Sequence, residues 1–254
     1  MIRFASLGSG SRGNATLIES GSTKVLLDCG FSVKETERRL LRLGCEANSL
    51  NGIAVTHEHS DHVNGVARLS RKYNIPVWLT VGTRTGARDS KFSSTHLIKA
   101  DSSFAIGDLN LHPFPVPHDA REPCQFVFSD GAHRLGILSD LGAPTPHIID
   151  CLQDLDALVL ECNYDHHMLM NGAYPYRLKQ RVAGDYGHLD NRQSQAILGR
   201  LDLSKLQHLL GGHVSEKNNL KEHAHSALCS GADCEPEWVT VACQDDGFDW
   251  RCVG

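Results

Sequence analysis

The chain has 254 residues, with 25 basic and 30 acidic side chains, a net charge of −5, 41% hydrophobic residues, 15 His and 9 Cys. That composition suits one substantial core or two small ones, and it excludes a disordered chain, collagen, a coiled coil and a disulfide miniprotein. The acidic balance also excludes a simple nucleic-acid coating protein, because such proteins bind by neutralising phosphates with Lys and Arg.

Nine cysteines with no C-x-x-C spacing indicate neither a disulfide framework nor a zinc ribbon, so a reducing cytoplasm is the expected location. No uncharged apolar run reaches the roughly 18 to 20 residues that a bilayer demands. The opening Met1-Ile-Arg-Phe-Ala-Ser-Leu-Gly8 has no secretory apolar region. No membrane role is expected.

In chain order, Lys24–Asp28 and Ile53–Thr56 are short apolar or β-branched runs bounded by turns, the pattern of buried strands. Between them, Ser32-x-x-Glu35 has capping-box spacing and Gly44 supplies a stop, which predicts a helix over 33–43. A second helix is predicted from Asp61 or His62 to the turn at Asn74-Ile-Pro76, followed by a strand over Pro76–Thr80. Further strands are expected at Leu109–His112, Gln125–Phe128, Leu135–Ser139, Leu158–Leu160 and Trp238–Ala242, with a helix over Gln193–Leu201. Thr83–Thr95 and Asn163–Asp190 read as loops, and no internal repeat is visible. Strands that are sometimes neighbours and sometimes alternate with helices predict an α/β protein with mixed sheets, as one domain over 1–254.

The strongest chemical signal is His57-Glu-His59-Ser-Asp61-His62, between a predicted strand and a predicted helix. Chance supplies H-x-H-x-D-H in roughly 0.4% of chains of this composition, so the match outranks most short motifs. In an extended segment His57 and His59 point the same way and can grip one cation, while Asp61 and His62 project to a neighbouring position. His118, Asp140 and His213 follow other strand-like runs and could complete a two-metal site. Asp140 is the natural bridge, because a carboxylate can share two cations and an imidazole nitrogen cannot.

The order Leu26-Leu-Asp28, Thr56–His62, Val116-Pro-His-Asp119, Leu138-Ser-Asp140 and Gly212-His213 resembles the metallo-β-lactamase-fold hydrolases. The segments Gly8–Asn14, Leu160–Asn163, Tyr174–Arg177, Gly187–Asn191 and His213–Asn219 resemble the YycJ/WalJ branch, related in plan to ribonuclease Z. That resemblance implies an αβ/βα sandwich of two mixed sheets flanked by helices. It implies two divalent cations, zinc or manganese, with His57, His59 and His118 on the first, Asp61, His62 and His213 on the second, and Asp140 shared. Asp28 would support the metal loop without ligating. His188 and Glu161 match a histidine–glutamate pair acting at the scissile phosphate. The implied activity is that of a nuclease on nucleic acid, a DNA exonuclease working 5'→3', with Asp61 also orienting the attacking water.

Substrate contacts are expected from Ser9, Ser11 and Asn14 in the Gly-rich turn, from Asn163, and from Ser215, Asn218 and Asn219 after the last ligand. Tyr176 and Arg177, in a stretch that also holds Tyr174, Lys179 and Arg181, suit a strand-end clamp by stacking and ion pairing. The branch reads G-H-L-S-N where this chain has Gly187-His-Leu-Asp190-Asn191, so Asp190 is left out of the phosphate contacts. Two rivals remain at this level: a thioester or lactone hydrolase of the glyoxalase II kind, which shares H-x-H-x-D-H, and a metal-binding protein without turnover.

Overall fold

The computed structural model describes residues 1–254. One seven-stranded sheet contains β1 (Ile2–Gly8), β2 (Ala15–Ser20), β3 (Thr23–Leu27), β4 (Gly52–Ala54), β5 (Pro76–Leu79) and β6 (Ser94–Leu97). The second contains β7 (Phe104–Ile106), β8 (Leu109–Pro115), β9 (Cys124–Ser129), β10 (Arg134–Leu138), β11 (Ala157–Glu161), β12 (His208–Gly212) and β13 (Val239–Val241). β14 (Phe248–Val253) returns to pair with β1 at the edge of the first sheet. The helices are α1 (Val33–Arg42), α2 (Ser60–Val63), α3 (Val66–Tyr73), α4 (Val81–Gly86), α5 (Pro146–Cys151), α6 (His166–Asn171), α7 (Tyr176–Val182), α8 (Asn191–Leu198) and α9 (Lys221–Ala232).

The two sheets follow the same plan. Along β14-β1-β2-β3 and along β7-β8-β9-β10 neighbours are antiparallel; along β3-β4-β5-β6 and β10-β11-β12-β13 they are parallel. The duplication is invisible as a sequence repeat because only backbone pairing and burial are reproduced. Asp28 after β3 and Asp140 after β10 sit at matching positions, and both adopt left-handed backbone conformations, φ 60° and 52°.

Each sheet is covered on both faces. Phe4, Ile18, Val25, Leu27, Phe126, Phe128, Leu135 and Ile137 meet between the sheets. Leu26, Ile53, Leu40 and Leu69 pack on the outer side of the first sheet, where α1 and α3 lie. Leu138, Leu158, Leu160, Ile148, Ile197 and Leu228 pack outside the second, under α5, α8 and α9. Burial of both faces is why β3 and β11 read as unbroken apolar runs and not as alternating ones.

Ser32 caps α1 by accepting the Glu35 N–H, and the helix ends one residue earlier than expected, at Arg42. The helix predicted from Asp61 is split into α2 and α3. The cause is Gly65, whose N–H bonds to Cys29 O at 2.8 Å. A β-carbon there would lie 2.1 Å from Phe31 O. Two stretches read as loops carry short helices: Thr80 caps α4, and α6 and α7 occupy much of 163–190. β1, β2, β6, β7 and β14 were not anticipated. β6, β7 and β14 are edge strands with exposed positions, which lack an apolar signature, whereas β1 and β2 are largely buried inside the first sheet and carry Arg, Ser, Thr and Glu among their apolar residues.

A candidate metal centre at the strand ends

All seven expected ligands converge beyond the carboxyl ends of β4, β8, β10 and β12, the rim where open α/β sheets place their sites. His57, His59 and His118 bring one ligand atom each to within 4.8 Å of one another; so do Asp61, His62 and His213, and so do His57, His62 and Asp140. Asp140 therefore lies between the two triads. His213 follows β12, also with a left-handed backbone, φ 52°. Three non-glycine residues in this region, Asp28, Asp140 and His213, each cost on the order of 1–3 kcal/mol, strain of the kind that collects at functional sites.

Hydrogen bonds fix which nitrogen of each imidazole is free. His57 Nδ1–H donates to Thr56 Oγ1 (3.0 Å), whose hydroxyl donates to Asp28 Oδ2 (2.8 Å). The same Asp28 oxygen accepts from His62 Nδ1–H at 2.8 Å. His118 Nδ1–H donates to Gly187 O, His59 Nε2–H to Asp119 O, and His213 Nδ1–H to Glu161 Oε1. That leaves His57 Nε2 and His213 Nε2 without a partner, while His59 Nδ1 and His118 Nε2 face each other at 3.2 Å and His62 Nε2 lies 3.1 Å from Asn14 Nδ2. All five nitrogens are the ones turned away from the outer partners that orient ligating histidines.

The centre fits divalent cations on two further observations. His57 Nε2, His213 Nε2 and Asp140 Oδ2 are buried with no hydrogen-bond partner, and Asp140 Oδ2 is only 2.7 Å from His62 Nε2. Such a cluster of lone pairs needs an electrophile among them. Asp28, Asp140 and Glu161 are buried, and together with Asp61 they pair only with histidines, never with Lys or Arg. Carboxylates so placed require positive charge close by.

The local electrostatics follow. Burial pushes His57 and His118 below the ordinary imidazole value, which keeps their lone pairs available. Burial opposes charge on His62 too, but Asp140, Asp61 and Asp28 outweigh it and raise that group. Burial likewise resists ionisation of Asp61, yet His62 and His213 hold its carboxyl well below the usual range.

His188 stands beside the triads. Its Nδ1 is 2.8 Å from Glu161 Oε1 and 3.3 Å from Asp140 Oδ1. Burial disfavours its charged form, but Glu161 prevails and raises its pKa. Glu161 is fully buried; Oε1 serves His188 and His213 together, and Oε2 accepts the Leu141 N–H at 2.8 Å. His188 and His213 line an open cavity of about 360 Å³ with Ser11, Asp61, Asp119, Asn163, Tyr174, Arg181, Ser215 and Asn218.

The expected substrate contacts divide. Ser11, Asn163, Ser215 and Asn218 line this cavity. Ser9, Asn14 and Asn219 do not, and their polar atoms are committed elsewhere. Ser9 Oγ accepts the His213 N–H, Asn14 clasps Gly10 and reaches Asp61 and His62, and Asn219 joins Asn191 and Cys162 O. The Gly-rich turn thus braces the ligands from behind. Gly30 permits this, since a β-carbon there would fall 1.8 Å from Asp61 O.

Tyr176 is 72% exposed and, with Arg177, lies outside the cavity lining. The face of α7 toward the cleft instead carries Leu178, Arg181 and Val182. Helical spacing would have found that face had the stretch been read as a helix. Asp119 was also missed as a site residue: it pairs with Arg181 and comes within 3.7 Å of His59 and 3.6 Å of His118. Glu58, between two ligands, turns away to accept the Arg121 N–H. Asp190 caps α8 in a capping box with Gln193, a task Ser performs equally well.

Fold and site together define a metallo-β-lactamase-type hydrolase. Residues 23–209 match the beta-lactamase superfamily domain, and the chain belongs to that family. Within it, the chain is 32% identical over 233 residues to exodeoxyribonuclease WalJ of Streptococcus pneumoniae serotype 2, a match covering 89% of this chain and 87% of that one. It is 32% identical over 235 residues to exodeoxyribonuclease YycJ of Bacillus anthracis, covering 89% and 88%. Among solved structures, the metallo-beta-lactamase fold protein YhfI from Bacillus subtilis superposes with a TM-score of 0.76 at 15% identity, over 99% of this chain and 100% of that one, a likeness of fold. No helix is long and apolar enough to cross a membrane.

Proposed function

We propose that the chain is a dinuclear metal-dependent phosphodiesterase that degrades nucleic acid, acting on DNA from an end in the 5'→3' direction. The observation that carries this reading is His188, held by the buried Glu161 at the cavity wall, in a cluster with Asp140 and His213 but in neither of the two triads. The exodeoxyribonuclease names of the two relatives support the choice of DNA.

In this reading His57, His59 and His118 would hold one cation and Asp61, His62 and His213 the other, with Asp140 placed to contribute to both. Two such cations, zinc or manganese, would make a water acidic enough to attack near neutral pH and would offset charge on the phosphoryl group. Asp61 faces the cavity as a carboxylate and accepts a hydrogen bond from the attacking water, which orients it. His188 gives a proton to the departing oxygen, with Glu161 holding the ring by Nδ1 so that Nε2 is the atom presented. Ser11, Ser215 and Asn218 supply neutral donors for phosphate oxygens, Asn163 spends its amide on His213 O at 2.8 Å, and Tyr174 and Arg181 flank the strand end.

The test is incubation of metal-loaded protein with DNA and RNA labelled at either end, single- and double-stranded, beside a thioester. Progressive release from the 5' end of DNA, lost in His59→Ala and Asp140→Ala proteins that remain folded, is the expected result. Hydrolysis of the thioester with intact nucleic acids would overturn the proposal.

A further inference from the structure

A second group of metal-type donors lies on the outer face of the second sheet. Asp101, His112 and Cys151 bring ligand atoms to within 4.8 Å of one another. His147, one turn before Cys151 on α5, places Nε2 2.8 Å from Asp101 Oδ1 and 3.7 Å from Cys151 Sγ. We propose that Asp101, His112, His147 and Cys151 form a separate binding site for one zinc-class cation.

Three segments build this site. Asp101 sits in the turn before β7 with a left-handed backbone, φ 61°, and its N–H is fixed to Pro113 O at 2.7 Å. His112 projects from β8 on the same side as Phe114, which belongs to the core cluster that also holds Ile148 and Ile149 of α5. Its Nδ1 is bonded to Ser103 Oγ at 3.0 Å, which leaves Nε2 free in the way that outer partners orient a ligating histidine. Asp101 and His147 are exposed, and His112 and Cys151 half-buried, so a cation can enter from solvent.

One thiolate, imidazole nitrogen and one carboxylate form a donor set suited to four-coordinate zinc and poorly suited to magnesium or calcium. A cation there would tie the 101 turn and α5 to β8. β8 runs on through Val116 and Pro117 to His118, and residues 141–145 join Asp140 to α5. The site would therefore brace two segments whose other ends carry residues of the main centre.

Cobalt(II) separates the two centres, because none of the seven residues of the main cluster offers sulfur. Titration of the full-length protein with Co²⁺ should produce a sulfur-to-cobalt charge-transfer band, absent from Cys151→Ser and retained in Cys229→Ser, whose thiol has its own histidine neighbour at 3.7 Å. Zinc content should fall by one equivalent in Cys151→Ser, and His112→Ala should weaken cobalt uptake at this band about 10- to 100-fold. A wild-type protein without the band, or a band that survives Cys151→Ser, would overturn the assignment. Neither outcome bears on the catalytic reading.

Discussion

Glu161→Gln isolates the link between the metal centre and the proton donor. The native carboxylate accepts His188 Nδ1–H at 2.8 Å and His213 Nδ1–H at 3.1 Å on one oxygen, and Leu141 N–H at 2.8 Å on the other. A glutamine has a single acceptor and cannot serve both sides. If its carbonyl faces Leu141, its NH₂ meets the two Nδ1 atoms, and both imidazoles must move their protons to Nε2. That removes the inward lone pair of His213. If the amide is flipped, a donor faces the buried Leu141 N–H, which costs about 1–3 kcal/mol for an unsatisfied group.

The first arrangement forfeits two charge-assisted bonds worth about 1.5–3 kcal/mol each. The variant should therefore favour the flipped arrangement and lose stability either way, by roughly 1–3 kcal/mol when flipped and roughly 3–6 kcal/mol in the first arrangement. Zinc affinity at the second position should fall about 10- to 100-fold, as for other outer-shell substitutions. Chemical denaturation of the metal-free protein and metal content after dialysis against a graded chelator measure the two effects. Wild-type stability together with full metal retention would refute the role assigned to Glu161.

Three further outcomes are expected. His188→Ala should keep its full metal content, measured by elemental analysis, while single-turnover hydrolysis slows about 10²-fold or more; metal loss in that variant would make His188 a ligand. Asp190→Ser should match the wild type in thermal stability, whereas Asp190→Ala should lose about 1 kcal/mol with the α8 cap; equal loss in both would contradict the capping assignment. Glu35 is held at about 2 chiefly by Arg38, against burial and with help from Arg39. Because the folded value is depressed, the stability it contributes is present above the ordinary value of 4.5 and fades as pH falls toward about 2. Glu35→Gln should consequently narrow its deficit across that window in acid-denaturation curves; a deficit that stays constant would count against this pairing.

Much of the site was legible in the chain before folding. H-x-H-x-D-H carries its own geometry, since alternate residues of an extended segment share a side and the next turn redirects the chain. The apolar runs before Asp28, Asp140 and His213 announced strand ends, and a strand end delivers a side chain to the rim whatever the sheet order. The capping pattern at Ser32 likewise depends on neighbours within one turn. These features are local, and local sequence determines them.

The tertiary structure decided what depends on partners far apart in the chain. Asp28 serves His57 and His62 only because β3 and β4 pair in parallel, and Glu161 reaches His213 because β11 lies beside β12. Ser9 and Asn14 looked like phosphate donors, yet their hydrogen-bonding capacity is consumed by residues 204 and 48 positions away. The α7 face could not be chosen from composition, because Tyr176 and Arg177 differ from Arg181 only in rotation about the helix axis relative to the cleft. A side chain's chemistry is written at its own position; whether that chemistry is spent on the scaffold or left for a ligand is set by what the fold brings beside it.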